Sequence, residues 1–160
     1  MTGIRKFQSS LKDVAHGENL TIVEPVNMYG CELGNDVFVG PFVEIQRDVV
    51  IGDRTRIQSH TFVCELVTIG ADCFIAHGVM FINDLFEFGH PNKDPQLWRR
   101  THIGDHVSIG SNSTILPVNI CSNAVIGAGS VVTKDITTPG VYAGNPAVLL
   151  RSLDPGVMPI

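Results

Sequence analysis

The apolar positions along this chain return every six residues. Set in sixes from Leu33, the first place of each hexad holds Leu33, Val39, Ile45, Ile51, Ile57, Val63, Ile69, Ile75 and Phe81. The fifth place holds Val37, Val43, Val49, Thr55, Thr61, Val67, Cys73 and Val79, all small or β-branched, and the second often holds glycine, as at Gly34, Gly40, Gly52 and Gly70. A period of six fits neither the 3.6 of a helix nor the alternation of a half-buried strand. It predicts an all-β solenoid: short strands stacked coil on coil, with Gly, Asn or Asp taking left-handed backbone angles at the corners.

The pattern lapses over "FINDLFEFGHPNKDPQLWRRTHIG", residues 81–104, then resumes at Ile103, Ile109 and Ile115 and again at Ile120, Ile126 and Val132. Only five residues separate Ile115 from Ile120, which predicts a shortened face or corner at "ILPVN", where Pro117 suits a corner because it cannot donate to a ladder. Leu20 and Val26 carry the repeat upstream, out of phase, to about residue 14. Stacked coils advance ~4.8 Å each, so an insertion that keeps the pattern on both sides must leave the helix as an excursion, placed at about 83–100. Phe86, Phe88, His90, Trp98, Arg99 and Arg100 load that excursion with more chemistry than a connection requires, and long loops in compact domains are usually functional or disordered. A short tail is expected after Thr138.

Length and charge narrow the classes. The 160 residues fit one domain, and the formal net charge of -5 provides no basic footprint for nucleic acid. Cys31, Cys64, Cys73 and Cys121 lie far apart with no CxxC spacing, which reads as reduced thiols. The first 20 residues contain no apolar core of a signal sequence and no run approaches a membrane span, so a soluble, cytoplasmic protein is expected.

"IGDRTRIQSH", "IGADCFIAHG", "IGDHVSIG" and "IGAGSVVTKDI…YAGNPAVLL" resemble the hexapeptide-repeat acyltransferases. That resemblance implies a left-handed parallel β-helix of triangular section, a homotrimer, and acetyl-CoA bound with the active site between adjacent subunits. Matching positions for CoA are Gly110, Ser111, Gly127 and Ala128 along the later coils, with Lys134 and Arg151 for its phosphates. Within the superfamily, "FIND" and "ILPV" resemble the N-acetyltransferases of nucleotide-linked 3-amino sugars, which serve surface polysaccharide synthesis. This implies Asn83 beside the thioester and the attacking amine. His77, at the third place of its hexad, is a candidate to accept the proton or hold the amine, Asp84 to orient either residue, and Trp98 and Arg99 to cover sugar or nucleotide. His60, 17 residues before His77, reads as structural or as a substrate contact.

"GHPNKD" resembles instead the loop of galactoside and maltose O-acetyltransferases, which makes His90 a general base. Chemistry separates the two readings: a sugar hydroxyl needs a base within hydrogen-bond reach, whereas an amine needs positioning and oxyanion stabilisation more. A third reading is a non-catalytic trimeric scaffold, since stacked repeats serve that purpose without chemistry. No metal site is expected, because His102 and His106 lack the spacing of the zinc-binding γ-class carbonic anhydrases and read as solvated corners.

Overall fold

The computed structural model describes residues 11–153. They form a left-handed parallel β-helix of triangular section whose 21 short strands fall into three sheets, termed here faces A, B and C. Face A stacks seven strands, among them Glu44–Ile45, Phe62–Val63, Met80–Phe81 and Thr114–Ile115, one per coil. Each coil runs A, B, C and climbs to the next A.

The hexad explains the section. Every first-place residue from Leu33 to Phe81, and every fifth-place residue from Val37 to Val79, is buried. A two-residue strand turns one residue in and one out, so the inward residue stacks on its counterpart one coil away. The corner between strands needs a left-handed residue, and it falls at the fourth place: Asp36, Phe42, Asp48, Arg54, His60, Leu66, Asp72 and Gly78 all have φ between 56° and 71°. The expectation of Gly, Asn or Asp at corners is therefore too narrow, because the stacked coils hold Phe42, Arg54, His60 and Leu66 there as well.

Both irregularities resolve at corners. Met28 to Leu33 and Ile115 to Ile120 are each one residue short of a hexad, and in both places the turn from face A to face B is abbreviated. The helix also begins earlier than expected, with Leu11–Lys12 already paired to Met28 and Tyr29. The excursion behaves as predicted: Phe81 pairs with Ile115, 34 residues on, whereas Ile45 pairs with Val63, 18 residues on, with no loss of register.

The region after Thr138 is a correction. It is no simple tail but an antiparallel hairpin, Gly140–Gly144 with Ala147–Ser152, whose first strand adds to face C beside Val125–Ile126. The thiols are free: Cys31, Cys64 and Cys73 are buried and Cys121 half-buried.

Candidate functional site

Three edges join the faces, and they differ in chemistry. On edge BC a ladder caps four of the six described third-place amides: those of Glu18, Asn35, Ala71 and Asp105 donate to the side chains of Asn35, Asp53, Asp105 and Ser122 one coil above, at 2.7–2.9 Å, while those of Asp53 and Ser122 are uncapped. Edge CA has no such ladder. Its third-place residues are Pro41, Ser59, His77, Ser111 and Ala128, each stacked over the one before by corner hydrogen bonds such as Asn112 N–H to the His77 carbonyl at 2.9 Å. Among the described residues, the amides of His77, Ser111 and Ala128 donate to no protein acceptor.

His77 is exposed, and its Nδ1 lies 2.8 Å from Ser59 Oγ one coil below. In the tautomer that donates from Nδ1 to Ser59, Nε2 presents a lone pair outward. His60 sits at the left-handed corner beside Ser59, its ring stacked on Phe42 at 4.8 Å and 14°. Gly78 makes room on this edge: its φ is +68°, and a Cβ there would lie 2.5 Å from the Asn112 carboxamide reaching down from the coil above, which would have to move. Gly110, Ser111, Gly127 and Ala128 continue the same edge upward, so the structure aligns four of the six residues matched to CoA with His77. Arg151 is exposed on the hairpin, which bonds to the top of this edge through Gly127 N–H to the Tyr142 carbonyl at 2.7 Å. Lys134 lies elsewhere, exposed on edge AB beyond the strand Val131–Val132.

Edge AB is where the excursion leaves. Asn83 anchors both ends of the loop: its Nδ2 donates to the Glu65 carbonyl at 3.3 Å and its own carbonyl accepts from Arg99 N–H at 2.9 Å. Asp84 organises the interior. Its carboxylate accepts from the Asn92 amide, the Asn92 side chain and the Phe86 amide at 2.7–2.9 Å, and the Asn92 carbonyl in turn accepts from Trp98 Nε1 at 3.3 Å. Partial burial pushes the Asp84 carboxyl up, but the Asn92 and Phe86 donors outweigh that and hold it below the usual carboxylate range. Asp84 thus positions the loop through Asn92 and Phe86. This internal network had no signal in the hexad pattern.

Between loop and helix lies a cleft of about 330 Å³, lined by Gln46, Phe62, Cys64, Asn83, Phe86 and Trp98 among others. Burial pushes the Cys64 thiol up to about 12, so it is no thiolate nucleophile at neutral pH. Arg99 is ion-paired with Glu87 rather than free. His90 is exposed at the loop tip, Nδ1 3.1 Å from the adjacent Pro91 carbonyl, and does not line the cleft. His106 is a left-handed corner as expected, whereas His102 points outward from the middle of the strand Thr101–Ile103 and is no corner.

His77 and Asn83 both occupy the third place of their hexads, one hexad apart. They therefore lie on neighbouring edges, separated by the width of face A, on the order of 15 Å for an extended segment of that length.

Residues 30–65 match the family described as bacterial transferase hexapeptide (six repeats), and residues 100–134 match the hexapeptide repeat of succinyl-transferase. The chain is built of hexapeptide repeats of the kind these two families describe. The repeats extend to the bifunctional protein GlmU of Synechococcus sp. (strain CC9605), 31% identical over 148 residues, which are 86% of this chain and 32% of that protein. This hexapeptide-repeat chain thus spans about a third of the length of that curated relative. Among solved structures, the D94A variant of AntD, an N-acyltransferase from Bacillus cereus in complex with dTDP and coenzyme A, superposes with a TM-score of 0.78 at 22% identity, over 88% of this chain and 84% of that one. The hexapeptide-repeat acetyltransferase VCA0836 of Vibrio cholerae O1 biovar eltor, complexed with acetyl coenzyme A, superposes at 0.64 with 25% identity, over 87% and 71%.

Proposed function

We propose that this chain transfers an acetyl group from acetyl-CoA to the amino group of a sugar. The observation that carries the reading is edge CA, where the braced imidazole of His77 stands below a strip of small residues with uncapped amides. A slender chain of amide groups fits that strip: Ser111 and Ala128 offer backbone donors, and no large side chain stands on Gly110, Ala128 or Gly129. The pantetheine arm of CoA has that shape and those acceptors. Arg151, on the hairpin above, is placed for a phosphate, and Lys134 serves only a ligand bound across a subunit boundary.

In the reaction the amine nitrogen attacks the thioester carbonyl, a C–N bond forms, the C–S bond breaks, and CoA leaves as the thiol with the proton lost by the amine. His77 Nε2 takes that proton or holds the amine, while a backbone amide of the same edge stabilises the carbonyl oxygen. Asn83, from the loop, orients the amine. The width of face A keeps His77 and Asn83 of one subunit apart, so the complete site is formed in a homotrimer, with one subunit's loop edge against the next subunit's His77 edge.

VCA0836 with acetyl-CoA supports the donor. AntD holds dTDP and coenzyme A on the same fold, and a nucleotide-linked 3-amino sugar is the acceptor form assayed first, with Arg100 and a released Arg99 as diphosphate partners. O-acetylation through His90 has less support, since His90 lies outside the cleft. Thiol release from acetyl-CoA across amino sugars and neutral sugars is the test, joined to a mixing experiment. His77→Ala and Asn83→Ala trimers are each expected to be inactive, and subunit exchange between them is expected to restore part of the rate by creating one intact interface. Failure of the mixture alone places the two residues in separate roles; turnover of neutral sugars only overturns N-acetylation.

A further inference from the structure

Below His77, edge CA continues to a feature that the proposed reaction does not use. Phe42 occupies the left-handed corner two coils down, with φ +61° and 58% of its surface exposed, its ring backed by His60 at 4.8 Å. Beside it opens a cleft of about 230 Å³ lined by Pro25, Asn27, Phe42 and Glu44 among others. Asn27 and Glu44 pair as neighbours on face A, and Glu44 Oε1 accepts from Gln46 Nε2 at 2.9 Å, which holds the carboxylate in place.

The lining defines its ligand. A flat aromatic face takes the C–H face of a pyranose, while a carboxamide and a carboxylate take its hydroxyls. The cleft contains a carboxylate and no cation, so a phosphate or diphosphate would meet repulsion there. Two coils correspond to ~9.6 Å of climb, so a ring on Phe42 lies one pyranose beyond a ring presenting its amine to His77.

Resting on the amino-sugar reading, we infer that Phe42, Asn27 and Glu44 form a subsite for a second, uncharged sugar ring, so that the acceptor is a disaccharide or longer glycan unit in which the amino sugar is one residue.

The experiment compares the methyl glycoside of a 3-amino-3-deoxyhexose with the same ring extended by one neutral hexose. The extended acceptor is expected to show a kcat/KM about tenfold higher, in line with one aromatic stacking contact. Phe42→Ala is expected to erase that gain while leaving the monosaccharide rate unchanged, and Phe42→Trp to retain it. Equal rates for the two acceptors in the native protein, or an equal loss on both in Phe42→Ala, overturns the subsite. Saturation-transfer NMR with the disaccharide gives a readout independent of turnover. Binding that is lost in Phe42→Ala keeps the subsite even where no acetyl transfer occurs, an outcome that removes only the enzymatic reading. No binding of the disaccharide, together with turnover of the monosaccharide, removes only the subsite.

Discussion

Edges BC and CA are built from the same hexad, yet one is largely capped and the other is not. On BC, Asn35, Asp53, Asp105 and Ser122 consume four of the six third-place amides among the described residues, so that edge has fewer donors left to offer a ligand. On CA the same amides at His77, Ser111 and Ala128 are uncapped, and the side chains there are small except for an imidazole, Asn112 and, one and two coils below, the stacked rings of His60 and Phe42. The difference teaches that in a solenoid the third place of the hexad is a free choice. A short polar side chain there stiffens the edge, and its omission leaves a row of donors.

The contrast is broken most strongly at His77. His77→Ala should lower kcat/KM by ~10²–10⁴ with little change in Tm, as expected for loss of a general base. The matched change on the capped edge, Asp105→Ala, should do the opposite: it frees the Ala71 amide and destabilises by about 1 kcal/mol while leaving kcat/KM intact. Paired steady-state rates and thermal melts check both. Should Asp105→Ala cost activity and not stability, the division between the edges fails.

Next in size is Ala128→Leu. The exposed position accepts the larger side chain without disturbing the core, but the side chain crosses the strip proposed for pantetheine. KM for acetyl-CoA should rise about tenfold with kcat and Tm nearly unchanged, while Asn123→Leu at a half-buried corner of edge BC should leave KM alone.

The smallest effect concerns the loop. Because the folded Asp84 carboxyl titrates below its ordinary value of ~3.9, the loop network is fully supported above that value and is lost as pH falls through the lower folded value. Trp98 is the single tryptophan, so its fluorescence should hold steady from neutrality to about pH 4 and change only below. In Asp84→Asn the neutral-pH spectrum should already be shifted and the acid step absent.

Much of the fold was legible because first- and fifth-place residues are chosen by burial alone, and Ile45 or Val79 can face only inward. The excursion was legible for the same reason, as a gap in a period. Its interior was not, since the Asp84, Asn92 and Trp98 contacts are polar and irregularly spaced. Nor was the hairpin after Thr138, although Gly144, Asn145 and Pro146 between two apolar runs were the turn signal. At the candidate site, the alignment of Gly110, Ser111, Gly127 and Ala128 with His77 was implicit in the hexad count. So was the separation of His77 from Asn83, for equal places one hexad apart fall on neighbouring edges. The exposed aromatic at Phe42 went unnoticed because a fourth-place residue reads as a corner whatever its side chain.

The register kept across the excursion makes it a splice point. Each coil touches only its neighbours, so stability is close to a sum of local terms. The coils below the loop carry the proposed sugar contacts, and those above carry the strip proposed for the donor. A crossover within residues 85–97 would join the lower half of one such helix to the upper half of another while disturbing one stacking interface and the loop contacts of Asn83 and Asp84, and acceptor choice could then be exchanged as a cassette.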